Sequence, residues 1–288
     1  MEQFKNKVAV ITGSASGVGR AMAFAFAEEG MKIVLADISD EALKDTKEAL
    51  ENNGHQNVLA VKTDVTNFDS VAALAQKSFE AFGNVHVLCN NAGVGLGEAK
   101  TPIWDLAVKD WEWGYAVNTM GVVYGVKAFL PQMIVNGEEG FILNTSSNNG
   151  GITSLATTPI YASSKAAVTS FTEVLHYQLL KAGSKIKAGL LFPGPHLVNT
   201  NILNSARSRP NRFGASADQK ATYVSMEALA KNAGVEFKLT EPEEVASYAV
   251  KGIRQGLFWQ LPDNPKQDRK LKARTESILN RENPTLPE

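Results

Sequence analysis

Tyr161 and Lys165 stand four residues apart in the run Tyr161-Ala162-Ser163-Ser164-Lys165, downstream of an apolar run that closes on Ser146-Ser147. On a helix, that spacing puts the phenol and the ammonium one turn apart on one face. A free phenol titrates near pH ~10, too high for a general base at neutral pH, but a neighbouring positive charge favours the phenolate. Such a pair can give or take a proton at a substrate oxygen. Ser147 is placed to hold that oxygen by a hydrogen bond. Ser146, one residue deeper in the strand, should face the other side. The competing reading of Tyr161 is a core tyrosine with a satisfied hydroxyl, since a tyrosine and lysine at this spacing arise by chance in many chains.

A second constellation lies near the N-terminus. The run Thr12-Gly13-Ser14-Ala15-Ser16-Gly17-Val18-Gly19 follows a short apolar stretch and opens a helical pattern. Glycines there let backbone N–H groups approach a pyrophosphate, and the following helix points its positive end at the same phosphates. Asp37 ends the next apolar stretch, eighteen residues past Gly19. A carboxylate at that place accepts hydrogen bonds from both ribose hydroxyls of an adenosine and repels a 2′-phosphate. Ser16 leaves the turn without a basic side chain. The expected cofactor is therefore NAD, in preference to NADP. The plainer alternative is an ordinary strand-to-helix turn followed by a solvated aspartate.

These residues need a scaffold, and the sequence alternates to provide one. Apolar runs at 7–12, 32–37, 58–63, 85–90, 140–145, 186–192 and 257–261 read as strands. Helical spacing covers 17–29, 41–52, 68–82, 111–135 and 162–181, and Thr240-Glu241-Pro242-Glu243 has the form of a capping box opening a late helix. Strand–helix alternation with near-continuous apolar strands implies an α/β fold with a parallel sheet covered on both faces. Two segments fall outside the pattern. Residues 201–239 form a mixed excursion near the site, and residues 262–288 form a polar tail with an extended end, packed on the body or on a neighbouring subunit.

The chain has 288 residues, 44% hydrophobic and 20% charged, with a net charge of -1. That suits a soluble globular protein and leaves no basic stripe for nucleic acid or an anionic membrane. The one cysteine, Cys89, sits in an apolar run and reads as a buried small hydrophobe; no intrachain disulfide is possible. No signal segment opens the sequence and no run is long enough for a membrane span, so the cytoplasm is the expected compartment. No metal site is expected.

The glycine spacing G-x-x-x-G-x-G, Asp64-Val65 after the third strand, Asn90-Asn91-Ala92-Gly93 after the fourth, and the Tyr161–Lys165 pair resemble the short-chain dehydrogenase/reductase family, in its single-domain branch, over residues 5–261. The resemblance implies a three-layer doubly wound Rossmann fold with a mostly parallel seven-stranded sheet, and one NAD-binding domain spanning 1–288. It implies cofactor contacts from Gly13, Ser16, Gly17, Val18, Gly19, Asp37, Ile38, Asp64, Val65, Asn91, Gly93, Val198 and Thr200, together with Tyr161 and Lys165. Asp64 and Val65 would hold the adenine, Asn91 would lie along the cofactor, and Asn90 would tie neighbouring strands. The implied catalytic set is Tyr161, Lys165, Ser147 and Asn118, the last anchoring a water that links the lysine to solvent. Two departures stand out. Ser147 lies one residue further from the tyrosine than is usual, and the loop at 193–200 carries Pro195-His196 as an insertion. His196 either reaches the substrate or is a surface group. The family also implies a homodimer or homotetramer, built on apolar residues such as Phe129, Phe171 and Leu175 in the two long helices.

The expected reaction is reversible oxidation of a secondary alcohol to a ketone. Alternatives are a reductase working mainly on the carbonyl and a non-catalytic NAD-binding sensor or scaffold; enoyl reductases usually space the tyrosine and lysine more widely. The excursion offers Ile202, Leu203, Phe213, Tyr223, Met226 and Leu229 as apolar lining, joined by Val94, Leu96, Leu155 and the run Thr157-Thr158-Pro159-Ile160. That predicts a bulky, largely apolar substrate of aryl, steroid or terpenoid type. Arg207, Arg209 and Arg212 either meet a substrate carboxylate or, as such clusters more often do, form a solvated face. Residues 201–210 are similar to the matching part of bacterial Cα-dehydrogenases that oxidise lignin-derived β-aryl ethers.

Overall fold

The computed structural model describes residues 1, 3–214 and 238–285. Strands and helices alternate: β1 Val8–Thr12, α1 Gly17–Glu28, β2 Lys32–Asp37, α2 Asp40–Asn52, β3 Val58–Lys62, α3 Phe68–Phe82, β4 Val87–Asn90. The second half runs α4 Val108–Tyr115, a π turn at Ala116–Met120, α5 Gly121–Asn136, β5 Gly140–Thr145, a distorted single turn α6 Asn148–Gly151, α7 Pro159–Lys181 and β6 Ile186–Leu191. After these come β7 Leu197–Val198, two 3₁₀ segments (Ile202–Ser208 and Asn211–Phe213), β8 Leu239–Thr240, α8 Pro242–Gln255, β9 Trp259–Gln260 and α9 Pro265–Asn280.

Seven strands form one parallel sheet in the order β3-β2-β1-β4-β5-β6-β9. All five residues of β1 and all six of β5 are buried, as a sheet covered on both faces requires. One core layer joins Phe26 and Met22 of α1 to Val245, Ala249 and Ile253 of α8. The other joins Leu74 of α3, Phe129 and Met133 of α5 and Leu175 and Leu179 of α7. Cys89 lies fully buried, as expected, and burial pushes its thiol far up from the ordinary value. Among the described residues no helix is long and apolar enough to cross a membrane.

Asn90 ties strands, as the resemblance implied. Its amide donates to Asn144 Oδ1 at 2.8 Å, and Asn144 donates to Thr172 Oγ1 of α7 at 2.9 Å. This chain of bonds runs from β4 through β5 to the helix that carries Tyr161. Gly125 of α5 makes room for it: a Cβ there would lie 2.0 Å from Asn90 Oδ1.

Several expectations need correction. The helical stretch at 111–135 is α4 and α5 joined through the π turn, a rare distortion often found at functional sites. The capping box does not form. Glu241 is the N-cap without a side-chain capping bond, while Thr240 pairs with Val198 in the small β7–β8 ribbon and its hydroxyl accepts from His196 N at 3.1 Å. The last strand is only Trp259–Gln260. The polar tail contains α9, started by Asn264, whose side chain accepts from Gln267 N, and by Pro265 in the first turn. The tail's final residues, 286–288, lie outside the described set.

Candidate active site

The strand order reverses between β1 and β4, and the carboxyl ends of a parallel sheet open at such a point into a crevice. A cleft of about 930 Å³ lies there, running from Asp37 and Asp64 to Ser147, Tyr161 and α9.

At one end the turn after β1 approaches the loop after β4. A Cβ on Gly13, at φ +67, would come within 2.8 Å of Ala92 Cα. Thr12 Oγ1 accepts from Asn91 N and Ala92 N at 3.0 and 3.1 Å, and Asn91 Nδ2 donates back to Thr12 O at 3.1 Å. Ser16 caps α1 without a side-chain bond, so the first-turn N–H groups are not taken by the cap residue. Asp37 Oδ2 accepts from Ala15 N and Oδ1 from Ser39 N, and the carboxylate faces the cleft. Ser16, Gly17, Val18, Ile38, Asp64, Val65, Asn91, Gly93, Val198 and Thr200 line the cleft. Gly19 does not. It packs behind the turn, where a Cβ would meet Gly13 O at 2.1 Å.

Further along, β5 ends at Thr145 and the chain turns through Ser146 and Ser147. Alternation sends the two serines opposite ways. Ser146 Oγ points into the protein, to Lys165 O at 3.1 Å and Thr169 Oγ1 at 2.7 Å. Ser147 faces the cleft and accepts from Asn149 N at 3.2 Å. Tyr161, half-buried, faces it too. Burial raises the phenol above its ordinary value, and a hydrogen bond with Ser147 opposes that shift. Lys165 is 2% exposed. Its Nζ donates to Thr145 O at 2.8 Å and lies 5.8 Å from the centre of the Tyr161 ring. Burial lowers the ammonium to about 8.

Asn118 lies in the π turn, between the loop after β4 and α7. Its side chain is fully buried: Oδ1 accepts from Val94 N at 2.8 Å, and Nδ2 donates to Val94 O and to Ser164 Oγ, both at 3.1 Å. Both amide hydrogens are used, so the side chain ties the loop after β4 to α7.

The far end of the cleft is lined by Val94, Trp113, Val117, Leu155, Leu197 and Ile202. Leu96 and Phe213 instead pack on the small cluster of Val94, Trp113 and Val117 behind the wall. Ile160 is fully buried and Leu203 is exposed; Thr157, Thr158 and Pro159 do not face the cleft. Tyr223, Met226 and Leu229 lie outside the described residues. Of the three arginines, Arg207 and Arg212 are exposed and Arg209 is not. Arg209 is buried, paired with Asp110, donating to Phe213 O and lying over the Trp113 ring. Arg212 pairs with Asp64 at 2.8 Å. Burial pushes the Asp64 carboxyl up, but hydrogen bonds from Thr66 and Arg212 outweigh it and hold the group below its usual range. Arg207 caps its own segment through Asn201 O and Asn204 O while lining the cleft.

His196 lines the cleft as an exposed side chain. The surprise is α9. Asn264 donates to Pro195 O, Gln267 to Thr153 Oγ1 and Arg274 to Ile152 O, and these bonds seat the helix on the site. Asn264, Gln267 and Lys270 then form part of the wall. The Asn264-Pro265 pair was the available signal, an N-cap residue followed by a first-turn proline.

Comparison with known proteins agrees with this geometry. The family model described as short chain dehydrogenase matches residues 7–211. The chain belongs to the short chain dehydrogenase family. As an oxidoreductase of that family it is 32% identical over 282 residues to the CLA biosynthesis dehydrogenase/reductase of Lactiplantibacillus plantarum, covering 97% of this chain and 95% of the relative. It is 32% identical over 267 residues to a C alpha-dehydrogenase of Sphingobium sp., covering 91% and 82%. A solved short chain dehydrogenase/reductase from Burkholderia phymatum, in complex with NAD, superposes with a TM-score of 0.87 at 38% identity, covering 100% of this chain and 99% of its own.

The close packing of this dehydrogenase's first turn gives a direct prediction. Gly19→Ala drives a methyl into the Gly13 carbonyl, so the turn must open. NADH affinity should fall at least about tenfold, the loss of one charge-assisted contact, while the far-ultraviolet circular dichroism stays native. Unchanged NADH titration would contradict the placement.

Proposed function

We propose that the protein is an NAD-dependent alcohol dehydrogenase that reversibly oxidises a bulky, largely apolar secondary alcohol to a ketone. The observation that carries the reading is one cleft with a glycine turn and Asp37 at one end and Tyr161, Ser147 and buried Lys165 further along. The residues fit a dinucleotide. The first turn of α1 has no side-chain cap, and glycine leaves its backbone open to phosphate. The Gly13–Val18 turn would hold the pyrophosphate, Asp37 the adenosine ribose, and Asp64 and Val65 the adenine. NAD⁺, when bound, supplies the hydride acceptor.

This chain's own residues handle the proton. Ser147 holds the alcohol oxygen, and the Tyr161 hydroxyl, as phenolate, takes the proton from it. Lys165 places a positive charge beside that ring, which favours the phenolate against the opposing effect of burial. The C alpha-dehydrogenase relative and the likeness of residues 201–210 support an aryl alcohol as one candidate, beside steroid and terpenoid alcohols. The apolar end of the cleft, with Trp113, Val117 and Ile202, supports the class. Burial of the phenol specifically favours a second reading, in which carbonyl reduction, which needs the protonated tyrosine, is the faster direction at neutral pH.

We also infer a homodimer or homotetramer. Phe129 and Leu175, named from sequence, belong to the core, and Phe171 packs against it. The same helices instead expose Val174, Tyr177 and Leu180 on α7 and Ile134 and Val135 on α5. Sedimentation at micromolar concentration should show no monomer; a monomer alone would refute the inference.

Cofactor choice is checked by kcat/KM with NAD⁺ and NADP⁺ on any accepted alcohol. NAD⁺ should be strongly preferred, and Asp37→Ala should narrow the gap by removing the repulsion of a 2′-phosphate. Equal efficiencies in the unaltered protein would sink the assignment of Asp37.

Tyr161→Phe should lower turnover by about 10²–10⁴-fold, the usual contribution of a general acid–base group, while keeping NADH binding. The raised phenol sets the pH dependence. Below its folded value the group stays protonated and serves reduction; as pH rises through that value the phenolate accumulates and oxidation gains. Oxidation should therefore climb as pH rises above neutral, and reduction should fall. A flat oxidation profile, or a Tyr161→Phe variant near the unaltered rate, would overturn the assignment.

A further inference from the structure

The catalytic helix begins in a way that its own sequence does not stabilise. Thr158 is the N-cap of α7 but makes no side-chain capping bond; its hydroxyl instead accepts from Asn149 Nδ2 at 2.7 Å. Pro159 follows in the first turn and has no N–H. The next two donors, Ile160 N and Tyr161 N, have no partner within the helix. Both are taken by one carboxylate that is distant in sequence: Glu98 Oε2 accepts from Ile160 N at 2.7 Å, and Oε1 from Tyr161 N at 3.0 Å. Glu98 is 2% exposed.

A carboxylate so buried is costly unless it is fully hydrogen-bonded. Here its position at the positive end of a 23-residue helix offsets that cost. Burial pushes its carboxyl above the ordinary value; the two N–H bonds offset only part of that, and Asp110 adds a smaller upward push. Asp110 itself is engaged by Arg209. The loop that delivers Glu98 is the one that leaves β4 along the cleft. It is held by Asn118 at Val94 and by Ser205 at Gly95. Leu96 of the same loop and Ile160 both close on Gly114 of α4.

We infer that Glu98 is a positioning residue for the reaction, its carboxylate clamping the first turn of α7 through the backbone N–H of Tyr161 and so fixing where the Tyr161 hydroxyl stands. The inference rests on the reading of Tyr161 as the proton-transfer group. The side chain of Glu98 touches neither the cleft nor the hydroxyl. It acts on the direction in which the tyrosine leaves the backbone. Displacements of about 1 Å at a reacting group cost on the order of a hundredfold in rate.

The test uses Glu98→Gln, of nearly the same shape, in which one accepting oxygen is replaced by an amide donor that faces a backbone N–H. Its kcat should fall about ten- to a hundredfold, while NADH affinity and substrate KM stay close to those of the unaltered protein. Adding Thr158→Asp should then recover most of the lost kcat. That aspartate lies at the helix's own N-cap, can accept from the same donors, and keeps an acceptor for Asn149. A Glu98→Gln kcat near the unaltered value would overturn the inference. So would parallel losses of kcat and NADH affinity that Thr158→Asp leaves uncorrected, because Glu98 would then only anchor its loop. If Glu98→Gln does not fold, Glu98→Asp is measured by the same criteria, with an intermediate kcat expected. Tyr161→Phe, assayed alongside, separates the two claims: if it stays active, the tyrosine assignment fails, whatever Glu98 does.

Discussion

A buried ammonium organises this site. Lys165 is almost wholly removed from water, and an unpaired charge there would cost several kcal/mol. The main-chain oxygen of Thr145, the last residue of β5, takes one of its three hydrogens. The remaining donors stand where the cleft passes, beside the Tyr161 ring. Much else follows from keeping that charge in place. β5 must end where it does, and α7 must cross above it. The depression of the lysine to about 8 expresses the same strain in protonation terms: the charge is poorly solvated until oxygen ligands or a phenolate stand next to it.

The two ends of the cleft differ in charge. Asp37 and Asp64 face the end next to the glycine turn, and Arg212 neutralises Asp64 from the segment that follows β7. At the other end the described lining carries His196, Arg207 and Lys270 and no carboxylate. The same end also carries an apolar lining that includes Trp113, Val117 and Ile202. A long ligand with a polar, ribose-bearing half and an apolar partner matches that gradient. The segment from Ile202 to Phe213 is pinned to the body by ion pairs at Asp110 and Asp64, so the cofactor end and the apolar end share one wall.

Local chemistry made much of this legible in the sequence. The glycine turn, Asp37 at a strand end and Tyr161 with Lys165 one turn apart are short-range patterns with direct structural meaning, and so was the opposite facing of Ser146 and Ser147. What escaped depends on partners far apart in the chain. Nothing near Glu98 announces that it caps a helix more than sixty residues later. Arg209 looked like part of a solvated cluster because Asp110 approaches it only through the fold. Thr240 had the form of a helix cap, yet the β7–β8 ribbon and the His196 loop took its hydroxyl. The tail concealed α9 because the helix buries few apolar groups, resting on Leu271 and on polar contacts to the body, so hydrophobic periodicity had little to report.

The central claim is that a bound positive cofactor, together with Lys165, converts Tyr161 from a raised phenol into a base. Titrating the tyrosinate absorbance of the protein alone, with NAD⁺ and with NADH tests this most directly. The account predicts that NAD⁺ moves one tyrosine to a lower titration point, that NADH does so far less, and that Tyr161→Phe abolishes the shifted signal. Identical titrations with and without NAD⁺, or a shift that persists in Tyr161→Phe, would contradict it.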